Sequence, residues 1–548
     1  MNKVKKFWYF ISDRKLTIGN AAVILGTTGL ISNILGLYRE RLIAGHFGAG
    51  SMTDAFYASF RLPDLIFNLL ILGALSSAFI PVFVEKLSKN HEEEAQKIAN
   101  SFLNFVALGA IVFAVILFIL APKLVPFMFP GFFSSSLKPG FNIYQVTVNL
   151  TRIMLISPIL FGISGVFGGI LNSYKRFVAY SLAPLIYNIS IILSVIFLTS
   201  HFNPPIYALT VGVIGGAFLS VLIQLPSVIS TGFRWKPELN FKNGEIARII
   251  KLMLPRTLAL GTSSINLYID TFIASFFVGG ITVINFANDI QTAPTVIFGI
   301  AIATAIFPVL SEAIARNNMK EFMGNFSWSA RRILYFTIPA TVGIIVLRAQ
   351  IIRLIFGIGN FSWDNTYWTT KALLFFAIGL VAQGLIPLLL KAFYSIQDTK
   401  TPLYIALFVM VLNAILSVTL PFIAPLGLGI AGIALAFSIS GIVNAVLLFM
   451  WLHNKIGALD PDHKIFESTS RLILASLLMG LISYGSLYFF DMFVNTGRVV
   501  GLLLQTIGAV SAGGISYFLL TWLFRCEEVQ FVLDKIGLGH KVAADESI

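Results

Sequence analysis

Charged residues are scarce in this sequence, and so are the residues that build most catalytic and metal sites. Only 11% of its 548 residues are charged, whereas a soluble domain carries about 25%. The single cysteine, Cys526, excludes a disulfide framework and a cysteine zinc cluster. The six histidines fall mostly in loops and tails without metal-ligand spacing, and no GxxxxGK(S/T), HExxH or GxSxG motif occurs. An ordinary soluble domain and the common hydrolase and NTPase sites are therefore excluded, and no metal site is predicted.

What the chain has instead is apolar length. Hydrophobic residues make up 57% of it, 50 of them are Phe, and the mean hydropathy is +0.86. Apolar segments of roughly 18–28 residues recur to the end, each long enough to span a bilayer as a helix. The first is too long for a signal-peptide core, so we expect a retained helix. The pattern predicts an all-α polytopic membrane protein with about fourteen spans, near 17–38, 56–84, 99–120, 147–171, 180–200, 206–230, 252–278, 282–310, 331–349, 366–390, 402–422, 428–452, 469–491 and 498–524.

The formal net charge of +13 follows the loops. Most Lys and Arg residues lie in alternate connections, beginning with the N-terminal segment, and the intervening loops hold few. Cytoplasmic loops carry such an excess of basic residues. The distribution predicts that both termini are cytoplasmic, and it explains the positive charge without a nucleic-acid partner.

An internal repeat occurs at an offset of about 227 residues. The run Phe79-Ile80-Pro81-Val82, with Lys89-Asn90 after it, resembles Ile306-Phe307-Pro308-Val309, with Arg316-Asn317 after it. A weaker echo pairs the segments around 172–185 and 393–403. Parallel repeats of this kind usually flank a central substrate cavity. We therefore predict two six-helix lobes, 1–230 and 231–455, followed by two further helices and a cytoplasmic tail in 456–548; a bundle without a true repeat is the alternative.

Arginines at membrane depth are the candidate binding groups, because an ionised side chain there usually faces a cavity or a partner. Arg39 closes the first span, and helical spacing places Ser32 on the same face. Arg61 begins the second span and Arg256 the seventh. Guanidinium groups reached from both lobes would suit a pyrophosphate, since arginine donates in a planar fork to phosphate oxygens. Arg41 is a further candidate, and snorkelling to the membrane interface is the alternative for each.

Acidic residues in the apolar regions are few. Asp54 lies near the arginines in sequence and is a candidate for the same cavity. Asp270 is the deepest acid, so it must be paired with an arginine or a cation, or be protonated. Asp398 precedes the eleventh span, where it either couples an ion or caps the helix at Thr399 or Thr401.

The sequence resembles the MurJ/MviN family of lipid II flippases, within the multidrug/oligosaccharidyl-lipid/polysaccharide exporter superfamily. The matching runs are SNILGLYRERLIAGHFGAGSMTDAFYASFRLPD, GALSSAFIPVF, MLPRTLALGTSSINLYIDTFIAS, FGIAIATAIFPVLSE and AFYSIQDTKTP. The resemblance implies a transporter, not an enzyme, with two lobes, a central cationic cavity, and a lipid groove formed with helices 13 and 14. It implies alternating access that moves undecaprenyl-pyrophosphate-linked disaccharide pentapeptide outward across the bacterial inner membrane. Membrane lipids and cell-wall synthesis proteins are the implied partners. No cofactor is implied beyond a monovalent cation such as Na+.

Several positions depart from the family pattern. Asn33, Phe67 and Asn68 stand where basic residues are common, and Asp289 stands where we expect an arginine. If Asp289 lies near the cavity, its carboxylate must pair with a basic residue, bind a coupling ion with Asp270, or point away.

Two other functions compete with this interpretation. A related drug/cation antiporter or O-antigen-type flippase would share the fold but usually has twelve core helices. A polyprenyl-phosphate transferase would need clustered acids for a divalent metal, and the stretch from His91 to Glu94 is the single candidate; we interpret that stretch as a solvated loop.

Overall fold

A computed structural model describes residues 18–72, 79–135, 142–237, 248, 251, 253, 265–423, 427–457, 459–460 and 464–529. Every regular element within these ranges is helical, which confirms the predicted all-α membrane fold. Eleven helices in the described ranges are long and apolar enough to cross a membrane. The other three predicted spans fall on a 30-residue helix, a segmented stretch and a stretch described in part. The total of fourteen therefore stays a prediction.

Contacts divide the chain into two compact units, residues 1–282 with 358–362 and residues 283–357 with 363–548. The lobe boundaries predicted at 230 and 455 stay predictions. The helices that begin in the first unit are α1 Ile18–Phe47, α2 Ser51–Ser59, α3 Arg61–Ile66, α4 Ile80–Ser88, α5 Glu92–Met128, α6 Phe132–Ser135, α7 Ile143–Met154, α8 Ser157–Ser173, α9 Phe177–Leu198, α10 Tyr207–Ile229, α11 Ile265–Ala274 and α12 Gly280–Pro294. Its core packs α3, α4, α5 and α8 around the stacked rings of Phe79, Phe83 and Phe102.

The second unit contains the rest of the described helices. They are α13 Ala301–Ala315, α14 Met319–Phe356, α15 Trp363–Ser395, α16 Lys400–Thr419, α17 Ala431–Ile456, α18 Lys464–Asp491 and α19 Val499–Leu523. The last two pack against α14. Tyr517 fixes this packing by donating its hydroxyl proton to the carbonyl of Tyr335, at 2.7 Å.

The first two spans differ from the prediction. The first helix continues to Phe47, nine residues beyond the predicted end, so Arg39 and Arg41 lie inside it. The second span is broken into α2, α3 and a π-helical stretch, Phe67–Leu72. Pro63 lies in the first turn of α3, where its missing N–H costs no helical hydrogen bond, whereas it could not sit inside one continuous helix without a kink.

Two features recur at the offset of the sequence repeat. A π-helical stretch occurs at Phe67–Leu72 and again at Thr295–Ile300, 228 residues later. Asn90 and Asn317, 227 residues apart, both adopt positive φ after a helix. Each begins the same pair of backbone hydrogen bonds, a Schellman motif, to the preceding turn. Residues with positive φ also follow α8, α10, α15, α17 and α19, at Lys175, Gly232, Gln397, Gly457 and Arg525.

Candidate functional site

Arg39 is held in a buried polar network. Its Nε donates to Oε1 of Glu40 at 3.0 Å, with a second, shorter bond from Nη2, and its Nη1 donates to Oδ1 of Asn188 at 2.8 Å. The hydroxyl of Tyr57 donates to the other carboxylate oxygen of Glu40. The side chains of Arg39 and Glu40 are 22% and 5% exposed. The arginine is thus preorganised and partly accessible.

Asn188 connects this network to Ser32. Its amide nitrogen donates to both the carbonyl and the hydroxyl oxygen of Ser32, each at 3.1 Å. Ser32 lies two helical turns before Arg39 on α1, as the predicted shared face requires. The bond joins α1 to α9, so the orientation of the arginine depends on a neighbouring helix.

A cavity of about 680 Å³ opens beside Ser32 within the first unit. It is lined by α1, α3, α8, α9 and α10, with Asn33, Asp64, Tyr187 and Gln224 among its polar groups. Gln224 donates to Ser164 at 2.7 Å and to a backbone carbonyl, and its own Oε1 has no hydrogen-bond partner in the described part of the chain. The cavity therefore offers hydrogen bonds to a polar ligand rather than a ring of cations.

Arg61 lies in a second charged group, between α3 and α11. It is 7% exposed, and its Nε donates to Oγ1 of Thr271 at 2.9 Å. The hydroxyl of Tyr268 donates to its carbonyl. Asp64 and Asp270 interact electrostatically with the guanidinium. Arg61, on another helix, therefore lies near Asp270, the deepest acid. Pairing with an arginine is one of the alternatives that the sequence leaves open for Asp270.

Asp54 has a structural environment. It is fully buried and accepts hydrogen bonds from the backbone N–H of Gly279 at 2.6 Å and from both the N–H and hydroxyl of Thr282, at 2.9 and 2.8 Å. These contacts fix the start of α12 against α2. Asp54 is not among the residues that line the cavity, and neither are Arg41, which is half-buried on α1, Arg39 and Arg61. Among the predicted site residues that the structure describes, Ser32 lines the cavity.

Asp398 caps a helix, the alternative considered from the sequence. Its Oδ1 accepts from the N–H groups of Lys400 and Thr401, at 3.1 and 3.0 Å, and its Oδ2 pairs with Lys455. Partial burial acts to raise the pKa of Asp398, but the hydrogen bonds from Lys455 and Thr401 outweigh burial and hold the pKa at about 2. The hydrogen bonds that cap the helix and the ion pair with Lys455 thus keep the carboxylate ionised.

The remaining predicted residues lie elsewhere. Asp289 is exposed on α12, in the second unit. Arg256 lies outside the described residues. Among those that are described, no group of three or more His, Cys, Asp or Glu side chains could hold a metal ion. The stretch from Glu92 to Glu94 begins α5, and Glu94 pairs with Lys86 at 3.0 Å.

Three members of the site were missed from the sequence: Glu40, Asn188 and Gln224. Glu40 adjoins Arg39 in the chain and could have been identified as its partner. Asn188 and Gln224 are isolated amides within apolar spans, where polar side chains commonly bond to a neighbouring helix. An amide within an apolar span therefore indicates a hydrogen bond to a neighbouring helix, but it does not identify that helix.

The second unit contains an apolar pocket of about 410 Å³. It is lined by α14, α15 and α17, with Ile465 of α18 at its edge, and its residues carry no charge. Leu334, Leu385, Phe449 and Met450 belong to its wall. Such a surface suits a hydrocarbon chain.

Comparison with known proteins gives a consistent result. The family model described as "Lipid II flippase MurJ" matches residues 43–506. A "Probable lipid II flippase MurJ" of Buchnera aphidicola subsp. Acyrthosiphon pisum is 30% identical over 493 residues, covering 90% of this chain and 94% of the relative. The "Lipid II flippase MurJ" of Burkholderia cenocepacia is 29% identical over 467 residues, covering 84% of this chain and 88% of the relative.

Solved structures show the same fold. One titled "Lipid II flippase MurJ, inward closed conformation" superposes with a TM-score of 0.72 at 25% identity, covering 92% of this chain and 98% of the other. A multidrug resistance MATE family transporter of the MOP superfamily gives a TM-score of 0.62 at 17% identity, covering 80% of this chain and 99% of the other. The second match shows a shared fold alone.

Proposed function

This chain belongs to the lipid II flippase family MurJ, and on that premise we propose that it moves lipid II from the inner to the outer leaflet of the bacterial cytoplasmic membrane by alternating access. The substrate is an undecaprenyl-pyrophosphate-linked disaccharide pentapeptide. The observation that carries the proposal is the preorganised Arg39, held by Glu40 and by Asn188, whose chain neighbour Tyr187 lines the cavity of the first unit.

The local charge balance shapes the proposed binding mode. Arg39 and Arg61 are accompanied by Glu40, Asp64 and Asp270, so the described groups do not form a purely cationic surface. A pyrophosphate must therefore compete with Glu40 for the guanidinium. At about 4 Å and an effective dielectric near 20, one phosphate–guanidinium contact contributes roughly 4 kcal/mol before desolvation. Arginine can exchange a carboxylate for a phosphate, because its planar guanidinium donates two parallel hydrogen bonds to either group.

The apolar pocket of the second unit supports a place for part of the polyprenyl chain. It carries no charged residue and is built from α14, α15 and α17. Burying apolar surface there contributes about 25 cal/mol per Å². The lipid and the pyrophosphate would then be held by different parts of the protein.

Sidedness, ion coupling and partners complete the proposal. The loop charges support cytoplasmic termini, and cell-wall synthesis proteins are the proposed partners. We propose a monovalent cation such as Na+ as the coupling ion. Asp289 is its candidate ligand, because Asp270 already has the guanidinium of Arg61 nearby. Replacing Na+ by K+ in a transport assay tests the coupling, because a Na+-coupled transporter would slow down and an uncoupled one would not.

A complementation experiment tests the function. A bacterial strain depleted of its own lipid II flippase would express the wild type, Arg39→Gln or Arg152→Gln. Arg152 is the matched control, since it is a half-buried arginine that bonds to the carbonyl of Phe118, outside the cavity lining. We expect the wild type and Arg152→Gln to restore growth, and Arg39→Gln to leave lipid II in the inner leaflet. Failure of the wild type to clear lipid II would refute the proposal.

A further inference from the structure

A second groove lies on the first unit, away from the cavity described above. It occupies about 610 Å³ between α5 and α10, with α8 as its floor. This volume falls in the range of roughly 300–1,000 Å³ that is typical of small-molecule sites. Leu103, Phe167 and Phe233 are buried at its base, whereas Leu225 and Ile229 are 36% and 57% exposed along its rim. In a membrane protein, an open apolar groove of this kind meets lipid.

The mouth of the groove is formed by the segment that follows α10. Two asparagines one turn apart on α5 hold its backbone: Asn100 donates to the carbonyl of Arg234 at 2.9 Å and accepts from the N–H of Lys236 at 2.8 Å. Asn104 donates to the carbonyl of Lys236 at 2.7 Å. Three hydrogen bonds between these asparagine side chains and the backbone of the segment therefore hold it on α5, and they fix the side chains that it presents.

Those side chains are a guanidinium and an indole. Trp235 donates its ring N–H to Oδ1 of Asn104 at 2.9 Å, and both Trp235 and Arg234 line the groove. Arg234 is exposed and contacts no carboxylate among the described residues. Lys236 adds a second cation two residues later. Trp prefers the headgroup level of a bilayer, and arginine binds phosphate oxygens in pairs.

We propose that this groove binds one anionic glycerophospholipid, with its phosphate on Arg234 beside Trp235 and the upper part of an acyl chain between α5 and α10. Charge complementarity identifies the occupant. Among the described residues, the lining carries one charge, that of Arg234, and no carboxylate to receive the ammonium of a zwitterionic headgroup. The stretches 103–107 of α5, 163–167 of α8 and 225–229 of α10 line the groove. Each spans four helical steps, or roughly 6 Å, which accommodates the glycerol and the first methylenes.

The test uses the purified full-length chain, stripped of lipid in detergent. Phosphatidylglycerol, phosphatidylcholine or inorganic phosphate is titrated while the unfolding midpoint is followed and native mass spectrometry counts bound lipids. We expect saturable stabilisation by phosphatidylglycerol. Arg234→Gln should weaken the apparent affinity about tenfold, and Ala107→Phe, which fills the groove from α5, should remove the tight site. Lys320→Gln removes an exposed cation of the second unit and should leave the affinity unchanged.

The outcomes separate the sources of binding. Equal affinity for phosphatidylcholine would overturn the proposed headgroup, and equal stabilisation by inorganic phosphate would overturn a lipid site. An Arg234→Gln variant that binds phosphatidylglycerol like the wild type, or equal losses in Arg234→Gln and Lys320→Gln, would overturn the assignment to this groove. Because the Arg234 side chain is exposed, that variant tests the proposal even if Ala107→Phe fails to fold.

Discussion

The hydroxyl of Tyr57 donates to the same carboxylate that pairs with Arg39, so this hydrogen bond helps to hold Glu40 in the Arg39 network. A hydrogen bond to a charged group contributes about 1.5–3 kcal/mol, and one between neutral groups about 0.5–1.5 kcal/mol. Tyr57→Phe should therefore destabilise the wild type by about 2 kcal/mol. In a Glu40→Gln background the same change should cost about 1 kcal/mol, because the acceptor is then uncharged. The expected coupling energy is about 1 kcal/mol.

A double-mutant cycle measures this coupling. The wild type, the two single variants and the double variant are unfolded by SDS titration in mixed micelles, and their free energies of unfolding are compared. Tyr404→Phe is the control, since Tyr404 is 66% exposed and far from the network in sequence; it should combine with Glu40→Gln additively within about 0.5 kcal/mol. If Tyr57→Phe is equally additive with Glu40→Gln, the two side chains do not share a bond and the network is wrong.

Three other contacts give predictions for the same unfolding assay. Asp398→Ala should lower the free energy of unfolding by about 1 kcal/mol, because the cap of α16 is lost. The pKa of Asp398 is about 2 in the folded protein and about 3.9 in the unfolded chain, so its stabilising contribution is present above about pH 4 and is lost as the pH falls through about 2. On acidification, the variant should therefore lose less stability than the wild type. Arg331→Gln should lower the free energy of unfolding by about 3 kcal/mol, because Glu528, whose side chain is 3% exposed, would be left buried without its cation. Adding Glu528→Gln should recover part of this stability, and a further decrease would contradict the pairing. Asp54→Asn should lower the free energy of unfolding by about 2 kcal/mol, because an amide N–H₂ donor would replace the carboxylate oxygen that now accepts from a backbone N–H. An unchanged stability would show that the hydrogen bonds to Asp54 contribute nothing.

The positions of most spans could be predicted from the sequence, because they depend on local patterns. Apolar run length places most spans within a few residues of the observed helices, but α5 and α14 extend well beyond the predicted 99–120 and 331–349. The recurring Asn90 and Asn317 also gave a local signal, which corresponds to the same helix-ending conformation at both positions. The end of the first helix was misplaced because the charges after Tyr38 suggested an interface. Arg39 and Glu40 neutralise each other instead, so the helix continues to Phe47.

The sequence identifies arginines as candidate binding groups, but it does not identify the residues that bond to them. Arginine at membrane depth indicated Arg39 and Arg61, and Glu40 adjoins Arg39, whereas Asn188 and Thr271, which accept hydrogen bonds from the two arginines, lie on other helices. Asn188 is 149 residues from Arg39, and Thr271 is 210 residues from Arg61. Nothing local in the sequence specifies which helices meet. For the same reason the sequence suggests a cavity position for Asp54, although its carboxylate accepts from backbone N–H groups at the start of α12.

We propose that this chain moves lipid II and that Arg39 takes part in binding the pyrophosphate. The most direct measurement reconstitutes the purified protein into vesicles with labelled lipid II and follows its transfer between leaflets, with Arg39→Gln and the control Arg152→Gln alongside and folding verified for each. We predict transfer by the wild type and by Arg152→Gln, and a loss of at least tenfold in Arg39→Gln, the effect of removing one charge-assisted phosphate contact. Transfer by Arg39→Gln at the wild-type rate, or no transfer above protein-free vesicles by the wild type, would contradict the account.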